Sequence, residues 1–376
     1  MEKFNKKKIL IISNYYWTIY NFRISLINDL IQKNYDVYTI AKYDGYEEKV
    51  LSNNVFINNL NISLNKQNIA KDLLTLVDLI YKIYKIKPDL CLIYTIKPNI
   101  YASFAAQINK KKYVNVITGL GTAFINKSFT FSLIRFLYKL ALRKSNLVIF
   151  QNQEDQAEFN KLNIKIPNSL IVQGSGVDTQ KYDKNKLDTV AKEKFVFLFV
   201  GRLIKEKGII EYINAANKFI KKNLKVEFWI VGDYDKNNPA AINKKHIDHI
   251  QNNRVFKYFG FQENVEVIVN SCDCLVLPSY REGLSRSILE AMALEKVVIT
   301  NNVPGCNNLI AHKINGYLSV PRDENSLQNN MTEVYNMSKE DRINMGKLSR
   351  KLIIDNFSNE VINAQLLSLV NRIILN

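Results

Sequence analysis

The sequence has few of the residues that bind metals or form disulfides. Only four of its 376 residues are cysteines and three are histidines. Cys272 and Cys274 form a CxC pair rather than the CxxC of a zinc site, and no second pair completes one. His246 and His249 lack a third ligand nearby, so we expect them at the surface. We therefore predict no metal site, and buried free thiols in a reducing cytoplasm.

Long apolar runs are also missing from the chain. No stretch approaches the roughly 20 apolar residues that a helix needs to cross a bilayer. The amino-terminal residues MEKFNKKKILIISNYYW start with basic residues, but their apolar part is short and alternates like a strand. They also lack a small-residue cleavage site, so we expect no signal peptide. The sequence shows neither an internal repeat nor a low-complexity tract.

Acidic residues are in clear deficit. The chain has 52 lysines and arginines against 35 aspartates and glutamates, a formal net charge of +17. Such an excess favours an anionic partner, which can be nucleic acid, an anionic membrane or a phosphorylated substrate. A composition rich in Lys, Asn and Ile gives the same excess without any partner. Because the lysines are scattered and no helix-turn-helix, RNA-recognition or zinc-finger pattern is present, we expect no nucleic-acid partner.

The sequence does contain a regular alternation of short apolar segments with helical patterns. One such pattern predicts a helix from about Asn21 to Lys33. With 47% hydrophobic residues it is globular, and its length predicts two domains. The alternation predicts two doubly wound parallel α/β domains whose ligands bind at the carboxyl ends of the strands, in a cleft between the domains. The predicted strands are KKILIIS, DVYTIAKY, DLCLIYT, KYVNVIT and NLVIFQN in the first domain, and FVFLFVG, VEFWIVG, RVFKYFG, CDCLVLPS and KVVIT in the second.

A segment of different composition separates the two series of strands. VQGSGVDTQKYDKNKLDTVAKEK is rich in Gly, Asp and Lys and poor in large apolar residues. This composition predicts a linker near residues 175–192. We therefore expect domains at residues 1–180 and 181–355, followed by a helix over residues 356–376 that packs back toward the N-terminal domain.

The first candidate motif follows the strand FVFLFV. The segment GRLIKEKGI offers Gly201 for a turn, Arg202 and Lys207 as cations, and a helix from about Lys207. Cations beside the free amides of a helix N-terminus suit a phosphate group. A solvated loop explains the same residues equally well. The Gly-Lys-Ser/Thr ending of a Walker A loop is missing.

The second candidate motif is LPSYREGLSRSILEAMA, with Glu282 in a loop and a helix from about Leu284. Ile288 and Met292 are one turn apart and pack on the sheet, so Glu290 points elsewhere. The two carboxylates form an acid/base pair, bind a sugar and a ribose, or lie on the solvated side of a helix. Their place after a strand favours a ligand, because carboxylates accept ribose hydroxyls at other nucleotide sites.

Taken in order, these motifs resemble the retaining glycosyltransferases of the GT-B fold, family 4. The resemblance covers nearly the whole chain, and the ordered set is far more specific than any one motif. In the second half its segments are GVD before the linker, GRL…EKG, FWIVGD, YFGF, CDCLVLPSYREG and PGCNNLI…NGYL. In the first half they are NYYWTIYNFRISLINDLIQKNYDVYTIA and ITGLGTAF.

The resemblance implies a nucleotide-sugar site in the second domain, without a metal or a further cofactor. Arg202 and Lys207 would hold the diphosphate and stabilise the charge of the leaving group. Glu290 would bind the ribose and Glu282 the transferred sugar, so the resemblance argues against an acid/base pair. The sugar would keep its anomeric configuration. The remaining implied donor contacts are Gly201, Gly283, Leu284 and Ser285 near the sugar and phosphates, and Gly260 and Phe261 near the base.

The resemblance places an acceptor in the first domain. YNFR and GLG are similar to the subgroup that adds N-acetylgalactosamine to saccharides linked to undecaprenyl diphosphate. We expect a UDP-N-acetylhexosamine donor and a polyprenyl-diphosphate-linked acceptor, with Arg23, Thr118, Gly119 and Gly121 as acceptor contacts. Many relatives carry a glycine pair in the first loop and a histidine near ITGLGTAF. Here the loop SNYYWTIYNFR has no glycine and Thr118 and Gly119 replace the histidine, so a histidine contact is not expected.

The segment NKSFTFSLIRFLYKLALRK predicts a helix over about residues 128–144 with a basic stripe of Arg135, Lys139 and Arg143. It is either an interfacial helix on the anionic inner face of the plasma membrane or an ordinary helix with one solvated side.

Four alternatives to this function stay open. They are a family 4 transferase with UDP-glucose, UDP-galactose or GDP-mannose, a sugar-nucleotide epimerase, a basic nucleic-acid-binding protein, and an inactive transferase with a lectin or scaffold role. Three histidines leave few candidates for the epimerase chemistry. The retained Arg202, Lys207, Glu282 and Glu290 disfavour an inactive transferase.

Overall fold

The computed structural model of the protein describes residues 6–51, 55–62, 69–120, 129–162, 164, 166–222, 225–236, 238 and 240–375. The chain divides into two compact units. Unit 1 comprises Met1–Gly176 with Asn359–Asn376, and unit 2 comprises Val177–Ser358. The sequence places these boundaries at 180/181 and 355/356.

Unit 1 is built on a parallel sheet of short, apolar strands. Its strands are β1 Lys8–Tyr15, β2 Asp36–Lys42, β3 Val55–Asn59, β4 Leu90–Tyr94, β5 Lys112–Ile117, β6 Leu147–Phe150 and β7 Ser169–Ile171. They lie in the order β3-β2-β1-β4-β5-β6-β7. The order reverses between β1 and β4, so the carboxyl edge of these two strands is where a doubly wound sheet binds ligands.

Helices cover both faces of this sheet. They are α1 Tyr16–Gln32, α2 Glu47–Val50, α3 Ile69–Ile86, α4 Ile96–Ile108, α5 Phe129–Leu142, α6 Gln153–Lys161 and the last helix of the chain, α13 Asn359–Leu375. Because side chains alternate along a strand, Ile9 and Ile11 pack under α1 and α13. Leu10 and Ile12 pack under α3 and α4 on the opposite face. Each face of the sheet therefore has its own core.

Unit 2 repeats the architecture with six parallel strands. They are β8 Phe195–Val200, β9 Val226–Val231, β10 Phe256–Tyr258, β11 Cys274–Leu277, β12 Val297–Asn301 and β13 Tyr317–Ser319. Their order is β10-β9-β8-β11-β12-β13, and it reverses between β8 and β11. Those are the two strands that precede the candidate motifs.

The helices of unit 2 are α7 Ile209–Lys221, α8 Lys244–Asn252, α9 Glu266–Ser271, α10 Arg286–Ala293, α11 Glu324–Asn336 and α12 Lys339–Asn356, with a 3-10 turn at Lys205–Lys207. The core between sheet and helices is rich in aromatic rings. The buried hydroxyl of Tyr212 donates to the carbonyls of Phe197 and Trp229, at 2.7 and 3.1 Å. These bonds tie α7 to β8 and β9.

One local prediction is wrong: the first helix begins at Tyr16 directly after β1, not near Asn21, so the loop after β1 is short. The segment predicted to be a linker near 175–192 contains the division between the units, but its residues Val177 and Tyr182 are buried in the core of unit 2. The helix of the first motif begins at Ile209, and Lys207 lies on the 3-10 turn before it.

The prediction of buried free thiols is confirmed, because all four cysteines are buried and unpaired. Within the described ranges, no helix is long and apolar enough to cross a membrane.

Candidate active site

The loops that follow β8 and β11 meet at the carboxyl edge of the unit 2 sheet. The Tyr280 amide donates to the Glu206 carbonyl at 2.9 Å, which joins the two loops. Gly208 has a positive φ of 76°, and a Cβ there would lie 2.0 Å from the Pro278 carbonyl oxygen. Only glycine fits this position, because it has no Cβ and adopts positive φ freely. The backbone itself therefore fixes the relation between the two motifs.

Lys207 and Glu282 form an ion pair across these loops. The distance from Lys207 Nζ to Glu282 Oε1 is 2.5 Å, and the side chains are 21% and 12% exposed. Ser279 Oγ also donates to Oε1, at 2.7 Å. Glu282 Oε2 makes no hydrogen bond to a residue that the structure describes. The pair therefore presents an oriented ammonium group and a carboxylate oxygen that can accept a hydroxyl.

Arg202 provides a second cation at the same edge. It directly follows Gly201 at the end of β8, and its side chain is exposed. Among the described residues, the Arg202 side chain has no hydrogen-bond or ion-pair partner. A Cβ on Gly201 would meet only side-chain atoms at ordinary contact distances, so this turn does not require glycine, contrary to the sequence prediction. Two cations and the helix that starts at Ile209 thus lie together, as the phosphate-site hypothesis predicts.

The loop after β12 holds Glu282 from the other side. The Glu282 amide donates to the Pro304 carbonyl at 3.1 Å. Gly305 has a φ of 76°, and a Cβ there would lie 2.4 Å from the Glu282 carbonyl oxygen and 2.6 Å from that of Gly283. No local sequence pattern predicts this contact, because it depends on the neighbouring strand. Glu282 is consequently fixed by backbone contacts as well as by Lys207.

The amides that precede α10 differ in their availability. The Ser285 amide donates to the Gly305 carbonyl at 3.2 Å, so it already has a backbone partner. The Leu284 amide has no partner among the described residues. α10 begins at Arg286, with Ser285 as its N-cap, rather than at Leu284. Leu284 remains the candidate backbone donor of this motif.

Glu290 is not a solvated helix residue. It is only 8% exposed, and Arg286 Nε donates to its Oε1 at 2.9 Å. It also accepts a hydrogen bond from Tyr182, and burial followed by the charge of Glu290 raises the pKa of that phenol well above its usual value. Tyr182 comes from the segment predicted to be a linker, so the sequence did not point to it. Glu290 is thus an oriented, charge-balanced carboxylate.

The segment assigned to the base lies farther along the same edge. Gly260 and Phe261 follow β10, two strands from β8. The Gly260 carbonyl accepts a hydrogen bond from the Gly232 amide at 2.8 Å, and Phe261 is 52% exposed. An exposed ring at a ligand-binding edge can stack on a flat group.

Other residues of the site were missed by the sequence analysis. Tyr280 donates its hydroxyl to Glu211 Oε1 on α7, and the Arg322 guanidinium lies 4.7 Å from the centre of the Tyr280 ring. Asn301, at the end of β12, donates to the carbonyls of Pro278 and Ser279 at 2.8 and 3.1 Å. Its position at a strand end is the one signal that could have identified it.

Cys306 lies near the Lys207–Glu282 ion pair. It is fully buried, and burial together with the charge of Glu282 raises its pKa to about 12. A thiol with this pKa is protonated at neutral pH and is a poor nucleophile.

In unit 1, Arg23 lies in α1 and is 6% exposed. Its guanidinium carbon is 4.0 Å from the centre of the Tyr94 ring, at the end of β4. The Tyr94 hydroxyl is buried without a hydrogen-bond partner in the described part of the chain. Thr118 and Gly119 are half-buried after β5, the strand beside β4. Gly121 lies outside the described residues.

The predicted basic stripe is present on α5, with Lys139 exposed and Arg135 half-buried. Arg143 is exposed and directly follows the last residue of the helix. Of the two predicted surface histidines, His249 is exposed and its Nε2 lies 3.0 Å from Asn217 Oδ1, whereas His246 is half-buried with a buried Nδ1.

Two doubly wound parallel units, the second with a cationic site at the reversal of its strand order, define the GT-B fold. Comparison with known families agrees with this. The model of glycosyl transferases group 1 matches residues 181–352, and the model named glycosyl transferase 4-like matches residues 8–152. Each half of the chain thus matches a glycosyltransferase family model.

Individual proteins give the same result. The chain is 25% identical, over 96% of its length and 97% of the relative, to N,N'-diacetylbacillosaminyl-diphospho-undecaprenol alpha-1,3-N-acetylgalactosaminyltransferase of Campylobacter jejuni. It is 27% identical, over 88% of its length and 87% of the relative, to UDP-Gal:alpha-D-GlcNAc-diphosphoundecaprenol alpha-1,3-galactosyltransferase of Escherichia coli. Sucrose-phosphate synthase of Thermosynechococcus elongatus has the same fold, with a TM-score of 0.81 over 98% of this chain and 99% of the other, at 18% identity.

Proposed function

We propose that this protein transfers a sugar from a UDP-sugar to a saccharide linked to undecaprenyl diphosphate, with retention at the anomeric carbon and without a metal ion. The observation that carries the proposal is the Lys207–Glu282 ion pair at the point where the strand order of unit 2 reverses. The product would enter the synthesis of a bacterial glycan, O-antigen or capsule.

Unit 2 would bind the donor. Arg202 and Lys207 neutralise the diphosphate, so no metal ion is part of the proposal, and the Leu284 amide adds a backbone donor. Glu290, held by Arg286 and Tyr182, accepts the ribose hydroxyls. The segment at Gly260 and Phe261 contacts the base.

The reaction would need no nucleophile from the protein. The bond from the anomeric carbon to the phosphate oxygen breaks, and a bond to the acceptor oxygen forms on the same face. The acceptor hydroxyl proton passes to the departing diphosphate. Lys207 stabilises the charge that develops on the diphosphate. Glu282 keeps Oε1 on Lys207 and Ser279, and its Oε2 accepts a hydroxyl of the transferred sugar.

The names of relatives support the donor and the acceptor. One relative is named as transferring N-acetylgalactosamine and another as using UDP-galactose, and both names contain a diphosphoundecaprenol acceptor. We infer that the donor here is a UDP-N-acetylhexosamine, with N-acetylgalactosamine as the first candidate. Arg23, Thr118 and Gly119 would contact the acceptor. A lipid-linked acceptor places the protein in the cytoplasm at the inner face of the plasma membrane.

A donor panel tests the reaction. UDP-, GDP- and ADP-sugars are offered with undecaprenyl-diphosphate-linked saccharides, nucleotide release is measured, and the anomeric configuration of the product is read by NMR. We expect release of UDP from a UDP-N-acetylhexosamine and a product of unchanged configuration. Absence of release from every donor would overturn the transferase proposal, and an inverted product would overturn retention.

Lys207→Ala tests the site. Because Lys207 stabilises the leaving group, we expect kcat to fall by about 10² to 10³ with a smaller change in the donor KM. Lys205→Ala is the matched control, since Lys205 is an exposed lysine on the same turn. Equal activity of the two variants would contradict the assignment.

A further inference from the structure

Helix α3 carries two apolar stripes, and only one of them is covered. Leu79, Ile83 and Ile86 face the sheet and are buried. On the outer side lies a second stripe whose members are each 56–66% exposed: Leu73, Leu74, Val77, Tyr81 and Tyr84. Their spacing of three or four residues places them on one face of the helix. A contiguous exposed apolar surface of this kind marks an interaction site.

The apolar surface continues across the neighbouring helices. Ile108 of α4 and Leu133, Phe136 and Leu140 of α5 are also exposed. Side-chain bonds hold the three helices together. Asn109 Nδ2 donates to the Ile80 carbonyl of α3 at 3.1 Å, and Gln107 Nε2 donates to the Ala141 carbonyl of α5 at 3.1 Å. The exposed apolar residues of α3, α4 and α5 therefore form one layer, which we call the α3–α5 face.

The helices on the opposite face of the same sheet, α1 and α13, expose mainly polar residues. The exposed residues of α1 are Asn28 and Gln32. α13 exposes residues such as Glu360, Gln365 and Asn371, and its one large exposed apolar residue is Leu375 near the chain end. Both layers belong to unit 1, so an apolar exterior is a specific property of the α3–α5 face.

Acidic charge on the α3–α5 face is neutralised within it. Asp72 lies 2.9 Å from Lys97, and Asp78 lies 2.6 Å from Lys82. Neither α4 nor α5 contains an acidic residue.

Exposed basic residues, in contrast, border the apolar surface at the C-terminal ends of the three helices. They include Lys85, Lys110, Lys139 and Arg143. Long basic side chains beside apolar residues can reach lipid headgroups while their stems cover apolar surface.

We propose that the α3–α5 face docks on the surface of an anionic phospholipid bilayer. Apolar side chains enter the interface, tyrosines lie at headgroup level, and the bordering cations contact anionic headgroups. A second copy of the chain fits less well, because two such faces would bring like charges together. The proposal rests on the proposed function for the reason to bind a membrane, which is a lipid-linked acceptor.

The position of the α3–α5 face suits that acceptor. Helices between parallel strands run opposite to the strands, so α3, α4 and α5 begin at the carboxyl edge of the sheet. The apolar residues Leu73 and Leu74 lie in the first turns of α3, at that edge. Arg23 and Tyr94 also lie toward it, because Tyr94 ends β4. A bilayer under the α3–α5 face would deliver a lipid-linked saccharide to this edge.

Vesicle co-sedimentation of the full chain tests the proposal. The probe is unilamellar vesicles of phosphatidylethanolamine and phosphatidylglycerol, with pure phosphatidylcholine as the neutral comparison. We expect the triple variant Leu74→Ser, Val77→Ser, Tyr81→Ser to bind anionic vesicles at least about tenfold more weakly than the natural protein, because buried apolar area is lost. Unchanged binding would overturn the proposal.

The matched control removes exposed apolar residues of unit 2. Ile314→Ser, Val320→Ser, Leu348→Ser changes side chains of similar exposure outside the α3–α5 face, and we expect normal binding. Equal loss in both triple variants would show a general effect and would also overturn the proposal. A separate Lys139→Glu, Arg143→Glu variant should lose binding mainly at low salt, as expected for screened charges.

A dimer interface at the α3–α5 face and a failure of the proposed function would each give a different experimental result. If the α3–α5 triple variant changed the sedimentation mass but not vesicle binding, the face would be a dimer interface and the lipid proposal would be wrong. With a water-soluble, short-chain acceptor the variant should turn over normally, and with the acceptor in vesicles it should slow at least about tenfold. If no acceptor were used by any variant, the proposed function would fail while the vesicle result still decided the membrane proposal.

Discussion

The carboxyl edges of the two sheets are built differently. In unit 2, neighbouring loops approach so closely that Gly208 and Gly305 have no space for a Cβ, and the Lys207–Glu282 pair is fixed between them. In unit 1, Arg23 near the corresponding edge is held by a side-chain contact with Tyr94. The difference indicates that backbone packing shapes the proposed donor site in advance, whereas a side-chain contact positions Arg23 at the proposed acceptor edge.

Gly208→Ala should have the largest effect, because it disturbs the backbone packing of unit 2. A Cβ would lie 2.0 Å from the Pro278 carbonyl oxygen in a backbone with φ of 76°. We expect a loss of more than about 3 kcal/mol in the free energy of unfolding, measured by urea denaturation, since the clash adds to the cost of the positive φ.

Gly260→Ala is the control for that experiment. Gly260 has a φ of 67°, but no atom lies within 4 Å of an added Cβ. The positive φ alone should cost about 1 kcal/mol. If Gly208→Ala and Gly260→Ala lowered the free energy of unfolding equally, close backbone packing would not be the reason that Gly208 is required.

Glu290→Gln tests whether the oriented carboxylate binds the donor. Removing a charged acceptor of two hydroxyl groups should raise the donor KM by roughly tenfold and change kcat little. Tyr182→Phe keeps the carboxylate and removes one hydrogen bond to it. Its donor KM should therefore lie between those of the natural protein and Glu290→Gln. Glu333→Gln, at an exposed glutamate of α11, should behave like the natural protein. A lower kcat with normal donor KM would contradict the ribose assignment.

Arg23→Met tests whether Arg23 of unit 1 serves the acceptor, as proposed. Loss of the guanidinium over Tyr94 should raise the acceptor KM by about tenfold, consistent with the size of a buried cation–π contact, and leave the donor KM unchanged. Arg23→Lys restores the charge but not the planar stack and should recover only part of the affinity. A change in the donor KM alone would mean that Arg23 does not serve the acceptor.

Tyr280→Phe should have the smallest effect. Its hydroxyl joins the loop after β11 to Glu211 on α7, while the backbone bond from Tyr280 to Glu206 remains in the variant. Loss of one hydrogen bond should lower the free energy of unfolding by about 1 kcal/mol and kcat by at most a few-fold. A loss as large as that of Lys207→Ala would show that side chains, rather than the backbone, position the donor site.

The sequence by itself determined the features that depend on local pattern. The alternation of strands and helices predicts two doubly wound parallel domains, and each motif follows a strand, so Arg202, Lys207 and Glu282 are predicted to share one edge. Apolar surroundings of the cysteines likewise predict buried thiols. These predictions hold because strand periodicity and strand ends are properties of short segments.

Tertiary structure alone decided how those segments meet. Tyr182 lies in a segment of polar composition yet contacts Glu290, and Gly305 lies against Glu282 because β12 is the neighbour of β11. The outer stripe of α3 has the same periodicity as a buried one, so its exposure follows only from what packs on the helix. Local sequence specifies which residues share a face, while burial and partners depend on contacts between residues far apart in the chain.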